Sequence, residues 1–254
     1  MLKLLTENDT EKVAELCKDS VLGVRIYCYA LSYGYNTSFI DFWAAEKAVI
    51  SRFDDVFTLI AAADADFDEI KEFLDVIGCV NLVTDAGTAE RLGEKNCEIK
   101  QAFAYASENT CSDSVSDIQD DEMKEAYALI SASIPGSFSS DRNAYLSFLS
   151  DFRFRQNRGF ARAVCIRENE AVAATSVTAA ETTDAAIISG VACSADLRGT
   201  GYGRIIVTSL AEALKNEGKA VYVIALNESA EGFYMHIGFK EKEKIAYIKR
   251  CYNV

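Results

Sequence analysis

At 254 residues the chain has room for one large domain or two small ones. Half of its residues are apolar, a quarter are charged and one is proline; this excludes a disordered chain, and no apolar run approaches the ~18–20 residues of a membrane span. The formal net charge of −13 is lopsided: residues 1–120 hold 23 acidic and 10 basic side chains and residues 121–254 hold 16 of each, so neither nucleic acid nor membrane is expected as a partner.

The N-terminal MLKLLTENDTEKV turns acidic at once, unlike a signal peptide, and a cytoplasmic protein is expected. Leu2–Leu5 reads as a short strand. Thr6 and Asp9 offer a capping box before a helix carrying Val13, Leu16 and Cys17. The aromatics Tyr27, Tyr29, Tyr33, Tyr35, Phe39, Phe42 and Trp43 follow. They suit a domain core or interdomain face, or else an aromatic cage for an amine, with burial the simpler reading. Val56–Ala63 reads as a strand and Asp68–Ile77 as an amphipathic helix with Ile70, Phe73, Leu74 and Ile77 inward. Cys79–Thr84 is a further strand closed by a turn at Asp85-Ala86-Gly87. Residues 1–106 are thus expected to form a non-catalytic α/β domain. The polar, acidic stretch 107–120 reads as a linker, and 121–254 as the second domain.

In that second part Glu122–Ser133 has helical spacing and Pro135-Gly136 ends it. Ser140 or Asp141 caps a helix through Tyr145, Phe148, Leu149 and Phe152. Phe160–Arg167, Ala171–Ala180 and Ala186–Cys193, joined by short polar turns, read as an antiparallel meander. A glycine-rich loop leads into a helix from about Arg204 to Asn216, ended by Gly218. Then come an apolar strand at Ala220–Leu226, a short helix through Phe233-Tyr234 and a last strand at Glu243–Tyr252. Arg153, Arg155, Arg158, Arg162 and Arg167 alternate faces and read as solvated charges or as a site for an acidic ligand. Eight cysteines without a C-x-x-C pair, and one histidine, His236, give no zinc pattern, so no metal is expected.

The loop Arg198-Gly199-Thr200-Gly201-Tyr202-Gly203 is the feature that carries chemistry. Glycines let backbone N–H groups approach an anion, and the helix that follows contributes about half a positive charge at its start. A nucleotide-hydrolase loop would need Gly-Lys-Ser/Thr, where this one has Gly203-Arg204-Ile205. The dinucleotide fingerprint would need glycine at Arg204.

Three ordered matches make residues 123–252 similar to the GNAT superfamily of N-acetyltransferases. Val191–Gly203 resembles its strand and pyrophosphate loop. Asn227 stands where an Asn helps to hold the pantetheine arm. Ala230-Glu231-Gly232-Phe233-Tyr234-Met235-His236-Ile237-Gly238-Phe239 resembles its Ala-x-x-Phe-Tyr-x-x-x-Gly-Phe. The resemblance implies an α/β (α+β) fold with a mixed, mostly antiparallel central sheet flanked by helices. It also implies an N-acetyltransferase using acetyl-CoA as cosubstrate and a small-molecule or peptide amine as acceptor. It places the diphosphate on Arg198, Gly199, Thr200, Gly201, Tyr202, Gly203 and Arg204, and pantetheine on the backbone of Val191 and Cys193. A backbone amide at Ala192 or Cys193 faces the thioester carbonyl, and Tyr234 is the general acid. Many members carry a Glu on the strand before the loop, but Ala186–Cys193 has no carboxylate, and Glu181 and Asp184 read as solvated turn charges. That departure leaves a non-catalytic CoA-binding module as the alternative. The strand and helix pattern of residues 1–106 implies a degenerate GNAT-like half without a glycine loop.

Overall fold

A computed structural model describes residues 1–108, 111–134 and 138–251. The expected helix breaker Pro135-Gly136 and the expected strand end at Tyr252 lie outside the described residues. The chain divides into two compact units: unit 1 comprises residues 1–103, 225–231 and 241–254, and unit 2 comprises 104–224 and 232–240.

Unit 1 begins with β1 (Lys3–Leu4), α1 (Thr10–Leu16), α2 (Val21–Tyr33), β2 (Ile40–Ala44), β3 (Ala48–Phe53) and β4 (Val56–Ala61). It continues with α3 (Phe67–Val76), β5 (Asn81–Asp85), α4 (Ala86–Arg91) and β6 (Cys97–Tyr105). The capping box forms ahead of α1, where the Asp9 carboxylate accepts the Thr6 N–H at 2.9 Å. The expected turn at Asp85-Ala86-Gly87 is instead the start of α4. Asp85 accepts the Thr88 N–H at 2.9 Å, so the carboxylate caps a helix where the Gly had signalled a reversal. The aromatics of residues 27–43 are packed against their own unit. Tyr29 stacks on Phe53 with centroids 4.7 Å apart, while Trp43 turns to the other sheet face and meets Phe73 edge-on at 5.4 Å. Phe42 and Trp43 are consecutive on β2, so strand alternation sends them into two different apolar clusters.

Unit 2 carries β7 (Val115–Asp117), α5 (Met123–Ser133), α6 (Arg142–Gln156), β8 (Ala163–Glu168), β9 (Ala171–Glu181), β10 (Ala185–Cys193), α7 (Tyr202–Asn216) and β11 (Ala220–Ile224). After these the chain forms α8 (Glu228–His236) and β12 (Phe239–Lys249). Strand β7 lies inside the stretch expected as a linker and pairs antiparallel with β8 from Val115–Ile166 to Asp117–Val164. The meander is as expected: β8, β9 and β10 are antiparallel neighbours, and β11 joins β10 in parallel. Asp141 caps α6 by accepting the Ala144 N–H at 2.8 Å. Met123, Ala126, Ile130 and Phe152 from α5 and α6 pack on Ala163, Cys165, Val172 and Val177 of the sheet. Each large side chain buried this way contributes about 1.5–3 kcal/mol.

Residues 241–249 of β12 return to unit 1 and pair antiparallel with β5, Ile245 opposite Asp85 and Lys249 opposite Asn81. Arg250 fastens the end of that strand. It is 9% exposed and donates to Glu94 at 2.8 Å and to Asp75 at 2.7 Å. Each unit therefore holds a parallel strand pair, β4–β5 and β10–β11, beside antiparallel ones.

Apart from the exposed Arg158, the arginines of residues 153–167 are paired with carboxylates and do not form an open anion site. Arg153 pairs with Asp120 and Arg155 with Asp151, while Arg167 reaches Glu122 and Arg158 lies over the Phe154 ring. Arg162 is bound by Glu181 and Glu217.

Candidate active site

The parallel ladder of unit 2 runs only from Ala185–Ala220 to Ile188–Val223. Beyond it β10 continues to Cys193, still held on its other edge by β9, so its β11 side is unpaired from Ser189 onward, a gap in the ladder. Three residues of β10 span two of β9 between Ser189 and Ala192, which marks a bulge. Gly190 sits in it with φ +57°, and a Cβ there would come within 2.9 Å of Val177 and 3.0 Å of Ile130. Both the backbone and the space require glycine at this point. Backbone groups alternate along a strand. The Ser194 N–H donates to Ala173 of β9 at 2.8 Å. The N–H and C=O of Cys193 therefore face the gap, whereas Val191 lies within the bulge, where the alternation is broken. Ala192 faces β9.

After Cys193 a 3₁₀ turn at Ala195–Leu197 leads into the glycine loop. The Thr200 hydroxyl donates to the Leu197 carbonyl at 2.7 Å and closes the turn. Gly199 and Gly201 have φ of +83° and +96°, conformations that side chains disfavour. Gly201 is the N-cap of α7, and no side chain caps this helix. Its first N–H groups have no acceptor within the helix and are directed to whatever lies ahead of it, an anion-accepting arrangement. Arg198 and Arg204 are exposed beside the loop. The Tyr202 phenol is turned away, donating to Glu168 at 2.8 Å.

Tyr234 lies on α8, 8% exposed, between the rings of Phe233 at 5.3 Å and Phe239 at 5.6 Å. Burial pushes its phenol up to about 12, so it carries its proton at every physiological pH. Asn227 is exposed, and its Oδ1 accepts the Ala230 N–H at 3.0 Å as the cap of α8. That leaves its amide NH₂ as the group open to a ligand. His236 is exposed. Burial raises the Cys193 thiol, which makes it a poor nucleophile, and its Sγ is turned to the Leu197 carbonyl at 3.6 Å.

Glu181 departs from its expected role as a solvated turn charge. It is 1% exposed at the end of β9 and takes Arg162 at 2.5 Å and Lys219 at 2.6 Å. Its oxygens are thus committed to cations, and no carboxylate stands on β10. Sequence reading missed this cluster because its members lie 19 and 38 residues apart. It also missed Gly190, although a lone glycine within a strand pattern is the signal of a bulge.

The sequence profile of the Acetyltransferase (GNAT) family matches residues 121–239. Residues 121–239 are a GNAT acetyltransferase domain. Solved structures extend the likeness in fold to the whole chain. A tandem GNAT protein from the clavulanic acid biosynthesis pathway is 11% identical with TM-score 0.62, covering 100% of this chain and 99% of that one. An acetyltransferase of the GNAT family from Colwellia psychrerythraea is 9% identical with TM-score 0.62, covering 98% and 100%. A GCN5-related N-acetyltransferase from Sphaerobacter thermophilus is 11% identical with TM-score 0.61, covering 98% and 95%. No curated protein matches the sequence. In the GNAT domain the glycine loop follows the strand that borders the gap. In unit 1 the equivalent parallel ladder also stops short, at Thr58–Val83, but its connection to α3 is acidic. There Asp66 accepts the Glu69 N–H at 3.0 Å, so a carboxylate already fills the helix start. Among the described residues no cluster of His, Cys, Asp and Glu fits a metal ion, and no helix is long and apolar enough to cross a membrane.

Proposed function

We propose that the GNAT domain transfers an acetyl group from acetyl-CoA to a primary amine by direct attack in a ternary complex. The observation that carries this reading is the gap between β10 and β11, which opens beside the glycine loop and the uncapped start of α7. The diphosphate of the donor would lie on the amides of Gly199 to Arg204, with Arg198 and Arg204 adding charge. Its pantetheine arm would follow β10 as an extra strand, meeting the backbone of Val191 and Cys193. The acceptor would be a small molecule or a peptide with a free amine.

The amine nitrogen attacks the thioester carbon and forms the C–N bond, and negative charge collects on the carbonyl oxygen. A backbone amide at Ala192 or Cys193 is suited to receive that charge. The Cys193 N–H is the better placed, because Ala192 faces β9. Collapse breaks the C–S bond, and the departing thiolate takes the proton of Tyr234. A phenol pushed up to about 12 by burial is a reservoir of that proton at neutral pH. The nitrogen loses its own proton to water. No free carboxylate of β10 is available to take it, so an amine that binds already neutral suits this site.

The test is thiol release from acetyl-CoA over a broad amine panel, with Tyr234→Phe beside the wild type. Turnover with some amine and a loss of about 10²–10⁴ in kcat for the mutant is the expected result. Unchanged turnover removes Tyr234 from the mechanism. The missing β10 carboxylate favours a second reading, a CoA-binding module without catalysis, which predicts CoA binding and no thiol release with any amine.

A further inference from the structure

At the closed end of the gap four charges meet. Arg162 precedes β8, Glu181 ends β9, Glu217 follows α7 and Lys219 precedes β11. Arg162 donates to Glu181 at 2.5 and 3.0 Å and to Glu217 at 2.7 and 2.8 Å. Lys219 reaches Glu181 at 2.6 Å and Glu217 at 3.0 Å. The Thr178 hydroxyl lies 3.3 Å from Glu181 and accepts the Arg162 N–H at 2.8 Å. Immediately beside them the Ala220 N–H donates to the Asp184 carbonyl at 2.8 Å, where the short parallel ladder begins. Glu181 and Lys219 are 1% and 11% exposed, so this is a built cluster and not a solvated surface pair.

The position of the cluster matters more than its energy. It ties the far end of α7 to the start of β11 and to the end of β9, the strand on which β10 is paired, and the near end of α7 is the glycine loop. The helix has 15 residues. At 1.5 Å per residue it is a lever about 22 Å long, and a tilt of about 3° at the cluster would move the loop by roughly 1 Å.

We propose that Arg162, Glu181, Glu217 and Lys219 form a positioning device for the acyl donor, setting the divergence of β10 from β11 and the reach from that gap to the loop. The inference rests on the CoA reading of the same site. A ligand gripped at both ends is sensitive to that reach, whereas a fragment gripped at one end is not.

The experiment is calorimetric binding of CoA and of ADP to the full chain, with steady-state kinetics on a responsive amine. Glu181→Gln and Lys219→Met are expected to weaken CoA by about tenfold to a hundredfold, with the same rise in donor KM. ADP affinity and kcat at saturating donor stay near wild type. Lys219→Arg restores CoA affinity. Phe152→Leu lowers the melting temperature from a site in the core of α6 and leaves CoA affinity unchanged. If Glu181→Gln and Lys219→Met lower the melting temperature as Phe152→Leu does but bind CoA like wild type, the cluster is structural only and the inference falls. An equal loss for ADP overturns it as well, because the loop itself has then been damaged. A wild type that binds neither ligand overturns the cofactor reading instead. Should Glu181→Gln fail to fold, the Lys219 pair decides the question alone.

Discussion

Replacing Gly190 by alanine tests whether the bulge of β10 is needed. The residue sits at φ +57°, where a side chain costs about 1–2 kcal/mol. The new Cβ would lie 2.9 Å from Val177 Cγ2 and 3.0 Å from Ile130 Cδ1, both tips of packed side chains, and overpacking of this kind costs about 1–3 kcal/mol. A loss of about 2–5 kcal/mol follows, close to 4–20 °C in Tm for a chain of this size. Thermal melting followed by circular dichroism reads it. Val177→Ala removes the closer of the two obstructing atoms. The double mutant should therefore recover part of the steric loss and none of the backbone loss, a coupling of at least about 1 kcal/mol. A Gly190→Ala protein that melts within about 2 °C of wild type would refute the reasoning, as would strict additivity with Val177→Ala.

Tyr234 has a folded pKa raised by burial from 10 to about 12, so the stability it supports is complete below pH 10 and lost as pH rises toward 12. Tyr234→Phe should flatten the stability profile in that window, and an unchanged alkaline slope would show that the phenol is not buried. Calorimetry of the full chain should give one CoA per chain, because Asp66 occupies the helix start of unit 1 that a second diphosphate would need; a stoichiometry of two contradicts this. A fragment of residues 1–106 should not fold, since it lacks the β12 partner of β5 and the Arg250 ties to Asp75 and Glu94. A cooperative melt from that fragment would show that β12 is dispensable.

The site was legible where its signals are local. Gly199, Gly201 and the apolar helix after them declare a loop turning into a helix, and the alternation of residues 163–193 declares a meander. What escaped is non-local. Glu181 looks solvated beside Thr182 and Asp184 until Arg162 and Lys219 are brought to it. Helix α2 escaped for another reason. Its sequence VLGVRIYCYALSY buries eight of 13 residues on several sides, and a helix apolar nearly all round shows no 3.6-residue stripe. The domain division placed at residues 107–120 could not anticipate residues 241–249 pairing with β5. Nothing in the alternation of the last strand says which edge it will join.

That pairing imposes an order in time. β5 is complete at Asp85 and has β4 on one side, but the strand for its other edge, β12, does not begin until Phe239. At about 5–20 residues per second, a ribosome needs roughly 8–30 s to supply it. Throughout that interval Leu82 and Val83 stand on an open strand edge, which is a template for association with other chains. The meander of unit 2 has all its strands from β7 to β10 in sequence and can close first. Quality control of this protein in a cell is therefore expected to act on the half made earliest, which is the last to be finished.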